Sequence, residues 1–207
     1  MPKDPSRFSK NTLLAVILCG GASSRMGQDK ATLCCDGQML WQQVAKRLAP
    51  QVGQLLVSTS ARQAALSFAP YPCVVDGQVA AGPLGGISSA LASPLVDGFD
   101  WVVFSSCDTP LQPTDWVAAL AAARAGNRGI SYIRYQGQAH YLHALWHRSL
   151  LKPLEEFLQA GGRAVHRFYA QVQAQPVDYA PLAAPPIDPF SNLNSPADLA
   201  RIKPTYD

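Results

Sequence analysis

Charge is scarce in this chain: only 15% of its 207 residues are Asp, Glu, Lys or Arg, and the formal net charge is +3. No basic run exceeds the pair Lys46-Arg47, so the electrostatic footprint of a nucleic-acid or anionic-membrane binder is missing. Long apolar runs are missing too, and none approaches the roughly 20 residues that a bilayer-spanning helix needs. The stretch 1–11 is polar and mixed in charge, without the apolar centre of a secretory signal, and a cytoplasmic protein is the expectation. The five cysteines, Cys19, Cys34, Cys35, Cys73 and Cys107, are odd in number and form no C-x-x-C pair, which argues against a zinc site or a disulfide framework. There is no internal repeat and no G-x-G-x-x-G. The second strand also runs into Ser58-Thr59-Ser60 rather than an acidic residue, which argues against a nicotinamide-dependent dehydrogenase.

What is present is a composition with 48% hydrophobic residues, enough for a compact core. Residues 1–11 read as a loose tail and 12–207 as a single domain. Apolar runs at 13–18, 55–57, 73–75 and 101–104 read as buried strands. Helical patterns lie between and after them at 39–48, near 62–67, from the glycine-rich segment to Ala92, and from Thr114 or Asp115 to near Gly126. Strand and helix alternating in this order predict a mostly parallel sheet with helices on both faces, a three-layer α/β/α arrangement of Rossmann-like type. Beyond it come a hairpin at 130–135 and 140–146, helices at 150–159 and 164–170, a strand at 172–177, a Pro- and Ala-rich loop at 180–189, and a last helix capped by Ser195 with Pro196 at its first position.

In such sheets ligands bind outside the carboxyl ends of the strands, and the polar clusters of this chain fall there. The first strand runs into Leu18-Cys19-Gly20-Gly21-Ala22-Ser23-Ser24-Arg25-Met26-Gly27-Gln28-Asp29-Lys30. Glycines let backbone N–H groups approach a ligand, successive N–H groups make an anion cradle, and Arg25 and Lys30 add full positive charges. The stretch predicts a phosphate-binding loop. Asp76 and Asp108 each end a strand. Asp108 is the candidate ligand for Mg²⁺, which takes one or two carboxylates together with phosphate oxygens and water; the competing reading is a turn aspartate before Thr109-Pro110. Gly82, Gly85 and Gly86 admit either a close ligand or a tight helix entry. Cys107 has no activating neighbour in the sequence to make it a nucleophile. His140 and His143 are expected on opposite faces of a strand, which disfavours shared metal ligation.

The loop resembles the L-x-G-G-x-S-x-R-M-G-x-D-K signature of the nucleotidyltransferase superfamily and, more narrowly, the molybdenum cofactor guanylyltransferase (MobA) family. Gly82-Pro83-Leu84-Gly85-Gly86, Cys107-Asp108-Thr109-Pro110 and Asn192-Leu193-Asn194-Ser195-Pro196 are similar to that family's G-P-L-x-G, C-D-x-P and N-x-N-[ST]-P segments, in the same order. The resemblance implies a nucleotide-diphospho-sugar-transferase-like fold. It also implies transfer of GMP from GTP to molybdenum-bearing molybdopterin, giving the guanine dinucleotide and pyrophosphate. Leu18, Cys19, Gly20, Gly21, Lys30, Ser58, Asp76, Gly82 and Asp108 would bind the nucleotide, Arg25, Lys30 and Asp108 would act in catalysis, Asp108 would hold Mg²⁺, and Asn192 and Asn194 would lie toward the pterin. Cofactor-delivery or molybdoenzyme chaperone proteins are further implied partners. The chain departs from the pattern at Ser58-Thr59-Ser60, where the family has N-x-N, at Cys19, where alanine is usual, and at His140-Tyr141, where His-Pro is common. Gly20-Gly21, against Ala-Gly in cytidylyltransferase relatives, points to GTP over CTP. The alternatives are a cytidylyltransferase or sugar-phosphate nucleotidyltransferase, and a non-catalytic nucleotide-binding protein of the same fold.

Overall fold

The computed structural model describes residues 9–20, 32–35, 37–63, 66–77, 81–124, 126, 128–181, 185–193 and 198. The apolar run after the N-terminal segment forms strand β1, Leu13–Leu18, buried along its whole length. Its odd residues Leu13, Ala15 and Ile17 enter one apolar cluster and its even residues Leu14, Val16 and Leu18 another. Alternation in a strand sends successive side chains to opposite faces, so β1 is the partition between two cores, as a central parallel strand must be.

Eight more strands and helices among the described residues fill the first half. A small hairpin pairs β2, Cys34–Cys35, with β3, Gln38–Met39, turning at Gly37 with φ +74°. It leads into helix α1, Leu40–Leu48, whose entry is held by the Met39 N–H donating to Gln42 Oε1 at 3.0 Å and whose last turn carries Lys46 and Arg47 beside the negative end of the helix dipole. Strands β4, Gln54–Ser60, and β5, Cys73–Asp76, follow. Helix α2, Pro83–Ala92, has proline at its first position, where a missing N–H costs nothing. Strand β6, Trp101–Ser106, and helix α3, Trp116–Ala122, complete this half.

The second half adds β7, Ile130–Tyr135, β8, Gln138–His147, α4, Leu151–Gln159, α5, Val165–Tyr169, and β9, Ala174–Asp178. The seven-stranded sheet has the order β5-β4-β1-β6-β8-β7-β9. Strands β5, β4, β1 and β6 run parallel to one another, β8 is antiparallel to β6 and β7, and β9 is parallel to β7. Helices α1 and α3 pack on one face with Trp41, Val44, Trp116 and Leu120, and α2, α4 and α5 on the other with Leu84, Ile87, Leu154 and Phe168. The mostly parallel three-layer α/β/α architecture is as the alternation predicts.

Some expectations change. Lys10–Thr12 form a 3-10 turn capped by the Ser9 hydroxyl, so the end of the stretch read as a tail already belongs to the fold; residues 1–8 lie outside the described residues. Of the helix expected near 62–67, the described residues show a 3-10 turn, Ala61–Gln63, and residues 64–65 lie outside them. Asp115 stands before α3 but makes no capping bond there, because its carboxylate accepts from the Tyr179 hydroxyl instead. The final helix expected after Ser195 falls outside the described residues except for Asp198, which is helical.

His140 and His143 do not lie on opposite faces. The β7–β8 register passes from Tyr132↔Ala144 to Ile133↔His140, so β8 spends three residues where its partner spends none. Tyr141 and Leu142 both pack against the α2/α4/α5 core, and His140 and His143 both turn to Phe190 on the other side. A β-bulge inserts residues into one strand and resets the alternation beyond it, and a regular period-2 reading cannot see that.

The N-terminal turn also clips the start of β4. Gly53 N–H donates to Leu13 O at 3.0 Å, and a Cβ on Gly53 would stand 2.7 Å from Asn11 Cα and 2.9 Å from Asn11 O. Backbone cannot swing aside as a side-chain tip can. Gly53→Ala should therefore destabilise the fold by about 1–3 kcal/mol, which a calorimetric scan would read as a fall in Tm of roughly 3–10 °C.

Candidate functional site

The parallel register aligns the strand ends. Leu18 of β1 is opposite Ser58 of β4 and Ser106 of β6, and Ser60 is opposite Asp76 of β5. Carboxyl ends of four strands thus share one rim, and Cys19, Gly20, Asp76, Cys107 and Asp108 stand on it. This is the crevice where open α/β sheets bind ligands.

Asp108 is 2% exposed, and the turn carrying it is held from three directions. Ser106 Oγ donates to Asp108 Oδ1. Cys107 N–H donates to Leu18 O at 3.3 Å, extending the β1 ladder past the strand end. Leu193 N–H donates to Asp108 O at 2.8 Å, and the Leu193 side chain sits in a small cluster with Leu33, Cys35 and Leu40. The C-terminal segment is thereby drawn against the rim, which sets the exposed Asn192 directly beside the Asp108 turn. Cys107 is buried among apolar residues of the α1/α3 core.

Behind the turn lies an aromatic and histidine cluster. Thr109 Oγ1 donates to Ser106 O at 2.9 Å and meets His143 Nε2 at 3.0 Å. The His143 ring stands edge-on to Trp116 at 5.4 Å, contacts Phe190 at 5.0 Å and lies 6.2 Å from the His140 ring. His140 Nε2 is 3.1 Å from Asp188 Oδ2, and the Asp188 carboxylate also accepts the Phe190 N–H at 2.8 Å. Burial pushes the His143 imidazole down to about 3, with His140 beside it acting in the same direction. Burial lowers His140 too, against the pull of Asp188.

The amides of Cys19 and Gly20 both donate to Ser58 O, at 2.8 and 3.1 Å, and Cys19 O accepts from Gln63 Nε2 at 3.0 Å. These N–H groups serve the β1–β4 junction, so they are not turned toward an anion. Gly21, Arg25 and Lys30, like Asn194 at the other end of the chain, lie outside the described residues. Ser58 is fully buried, and its hydroxyl has no hydrogen-bond partner among the described residues. Asp76 Oδ1 accepts from Ser89 Oγ of α2 at 3.3 Å.

Of the second glycine-rich segment, Gly82 has φ +61°, a left-handed value that favours glycine. Gly85 and Gly86 owe their identity to packing: a Cβ on Gly85 would meet Asp76 Oδ2 at 2.9 Å and one on Gly86 would meet Ser58 Oγ at 2.9 Å. They let the start of α2 settle onto the ends of β4 and β5. Signals missed by sequence reasoning are His143 and Leu193; only the three-residue bulge and the Leu193–Asp108 bond reveal them.

The donor chemistry at Asp108 is that of a hard, oxygen-preferring cation. One buried carboxylate, without a cluster of further acidic or histidine ligands among the described residues, fits Mg²⁺ taken up together with phosphate oxygens rather than a preformed protein cage. Among the described residues no group of three or more His, Cys, Asp or Glu side chains is gathered for a metal, and no helix is long and apolar enough to cross a membrane.

Comparison with known proteins bears on family and fold. Residues 15–175 match the family described as MobA-like NTP transferase domain. The chain is 36% identical over 190 residues to the molybdenum cofactor guanylyltransferase of Yersinia pseudotuberculosis serotype O:1b (strain IP 31758), covering 90% of this chain and 92% of the relative. Among solved structures it is similar to molybdopterin-guanine dinucleotide biosynthesis protein A from Archaeoglobus fulgidus, with TM-score 0.72 and 19% identity over 93% of this chain and 97% of the other. It also shares its fold with 4-diphosphocytidyl-2C-methyl-D-erythritol synthase from Anaerococcus prevotii, at TM-score 0.70 and 8% identity over 95% and 96% of the two chains.

Two outcomes follow from the burial of these polar groups. The folded His143 value lies below the ordinary 6.5, so the unfolded chain binds more protons between the two values and stability falls as pH drops through that window. Going from about pH 6.5 to about pH 5 should cost roughly 2 kcal/mol from this group alone, and Tm measured across that range should fall less steeply in His143→Gln. Ser58→Ala, which removes an unpartnered buried hydroxyl, should stabilise the ligand-free protein by about 1 kcal/mol, a rise of roughly 2–4 °C in Tm.

Proposed function

Because the chain belongs to the MobA-like NTP transferase family, we propose that this nucleotidyltransferase transfers GMP from GTP to molybdenum-bearing molybdopterin, forming the guanine dinucleotide cofactor and releasing pyrophosphate. The observation that carries the reading is Asp108, the one buried carboxylate among the described residues, at the rim where β1, β4 and β6 end in register. It supports a site that completes its metal shell with the phosphates of its substrate. The family resemblance of the two glycine-rich segments and the C-terminal Asn192 segment, together with the guanylyltransferase relatives, supports the choice of guanine nucleotide and of pterin.

In this reading the terminal phosphate of the pterin attacks the α-phosphate of GTP. Nucleotidyl transfer of this kind is governed by positioning and by stabilisation of charge on the phosphate oxygens. Mg²⁺, when bound, neutralises developing charge and aligns the reacting phosphates. Asp108 would hold it. Arg25 and Lys30 would face the β- and γ-phosphates as pyrophosphate leaves. The loop around Leu18, Cys19, Gly20 and Gly21, with Gly82 and Asp76 across the rim, would border the guanosine. Ser58 would take the position that an asparagine holds in the family pattern, with one hydroxyl in place of an amide's paired donor and acceptor. Asn192 and Asn194 would lie on the pterin side. A cytoplasmic location and delivery partners for the labile pterin are part of the same reading.

The assay is transfer of label from α-labelled GTP or CTP to molybdopterin in the presence of Mg²⁺. Label should pass from GTP, and Asp108→Asn should reduce the rate by roughly 10²–10³-fold while the melting curve stays cooperative. Transfer from CTP alone would overturn the choice of base, and full activity in Asp108→Asn would remove that carboxylate from the reaction.

A further inference from the structure

The β8 bulge carries a second consequence at the rim. By placing Tyr141 and Leu142 on one face in succession, it turns His143 toward the end of β6, where His143 Nε2 reaches Thr109 Oγ1 at 3.0 Å. A threonine hydroxyl has one proton. Here it is given to Ser106 O at 2.9 Å, a carbonyl that can only accept. His143 must therefore be the donor, as the Nε2–H tautomer, and its bond ends on the residue next to Asp108. The same turn is gripped on its other side by Ser106 Oγ on Asp108 Oδ1 and by Leu193 N–H on Asp108 O. The imidazole cannot drift, because Trp116 and Phe190 close on it from α3 and from the C-terminal segment.

We propose that His143 is a positioning residue for the carboxylate that holds the metal: its Nε2–H fixes Thr109, Thr109 fixes the 106–109 turn, and the turn presents Asp108 in one orientation. The inference rests on the reading of Asp108 as the Mg²⁺ ligand. Partners of this kind around a metal ligand set the metal affinity without touching the ion, and losing one typically weakens binding by about 10–100-fold. The bulge makes structural sense in this light. Bulges recur beside functional sites, where they re-aim a side chain, and this one aims a buried hydrogen-bond donor at the turn behind the rim.

The test is Mn²⁺ binding to the protein–GTP complex, followed by electron paramagnetic resonance, with the Mg²⁺ concentration for half-maximal transfer as a second measure. His143→Leu, which keeps the volume and removes the donor, should weaken Mn²⁺ binding about tenfold or more and raise the Mg²⁺ requirement in parallel. GTP binding in EDTA should stay at the wild-type level. His143→Gln, which returns an N–H donor to the same place, should recover most of the affinity, a recovery that mere filling of the core would not give. Thr109→Val removes the acceptor and leaves the histidine in place; it should weaken Mn²⁺ binding as His143→Leu does, and it carries the comparison if His143→Leu fails to fold. Wild-type Mn²⁺ affinity in a folded His143→Leu or Thr109→Val, alongside weakened affinity in Asp108→Asn, overturns the positioning role alone. Unchanged Mn²⁺ affinity in Asp108→Asn overturns the metal assignment, and the positioning role with it.

Discussion

A carboxylate that is 2% exposed at the end of a strand is the constraint around which this rim is arranged. Taking a charge out of water is unfavourable by several kcal/mol unless hydrogen bonds and opposite charge replace the lost hydration. The fold replaces part of it with the Ser106 hydroxyl on Oδ1, and secures the turn with the Leu193 amide and the Thr109–His143 pair. Each comes from a different place in the chain: β6 itself, the C-terminal segment and β8. In the proposed reading a divalent cation bound with the nucleotide would add to these interactions at the carboxylate. That is the arrangement expected of a transferase that works by preorganised charge.

The sheet explains why the site can be so local. Register alone brings Leu18, Ser58 and Ser106 into one row, and Ser60 opposite Asp76. Helix α2 then settles against the ends of β4 and β5 because Gly85 and Gly86 have no side chains to hold it away. The antiparallel insertion of β8 between β6 and β7 departs from a uniformly parallel sheet, yet it is this strand that supplies the histidine behind the Asp108 turn.

Much of this was legible in the sequence, for physical reasons. The alternation of buried strands with amphipathic helices determines layers, and the polar residues at strand ends are visible as interruptions of apolar runs; hence Asp76 and Asp108 could be placed on the rim. His140 and His143 were misplaced because a bulge breaks the period of two without any glycine or proline to announce it. Gly85 and Gly86 were ambiguous because a missing side chain looks the same whether a ligand or a serine fills the space. Ser58 shows the opposite difficulty: its chain position is plain, but that its hydroxyl is wholly buried and unpartnered depends on packing against a helix nearly thirty residues away. Leu193 resembled an ordinary apolar residue between two asparagines, and nothing local indicates that its amide meets Asp108 O.

That last contact sets an order of assembly. A chain that extends as far as Asp178 already contains all the strands of the sheet. The grip on Asp108 O waits for Leu193, and so does closure of the small cluster with Leu33, Cys35 and Leu40. Contacts between segments so distant in sequence form late, since closing the intervening loop costs entropy first. The rim is thus the part of the fold whose completion depends on the segment most distant from it in sequence.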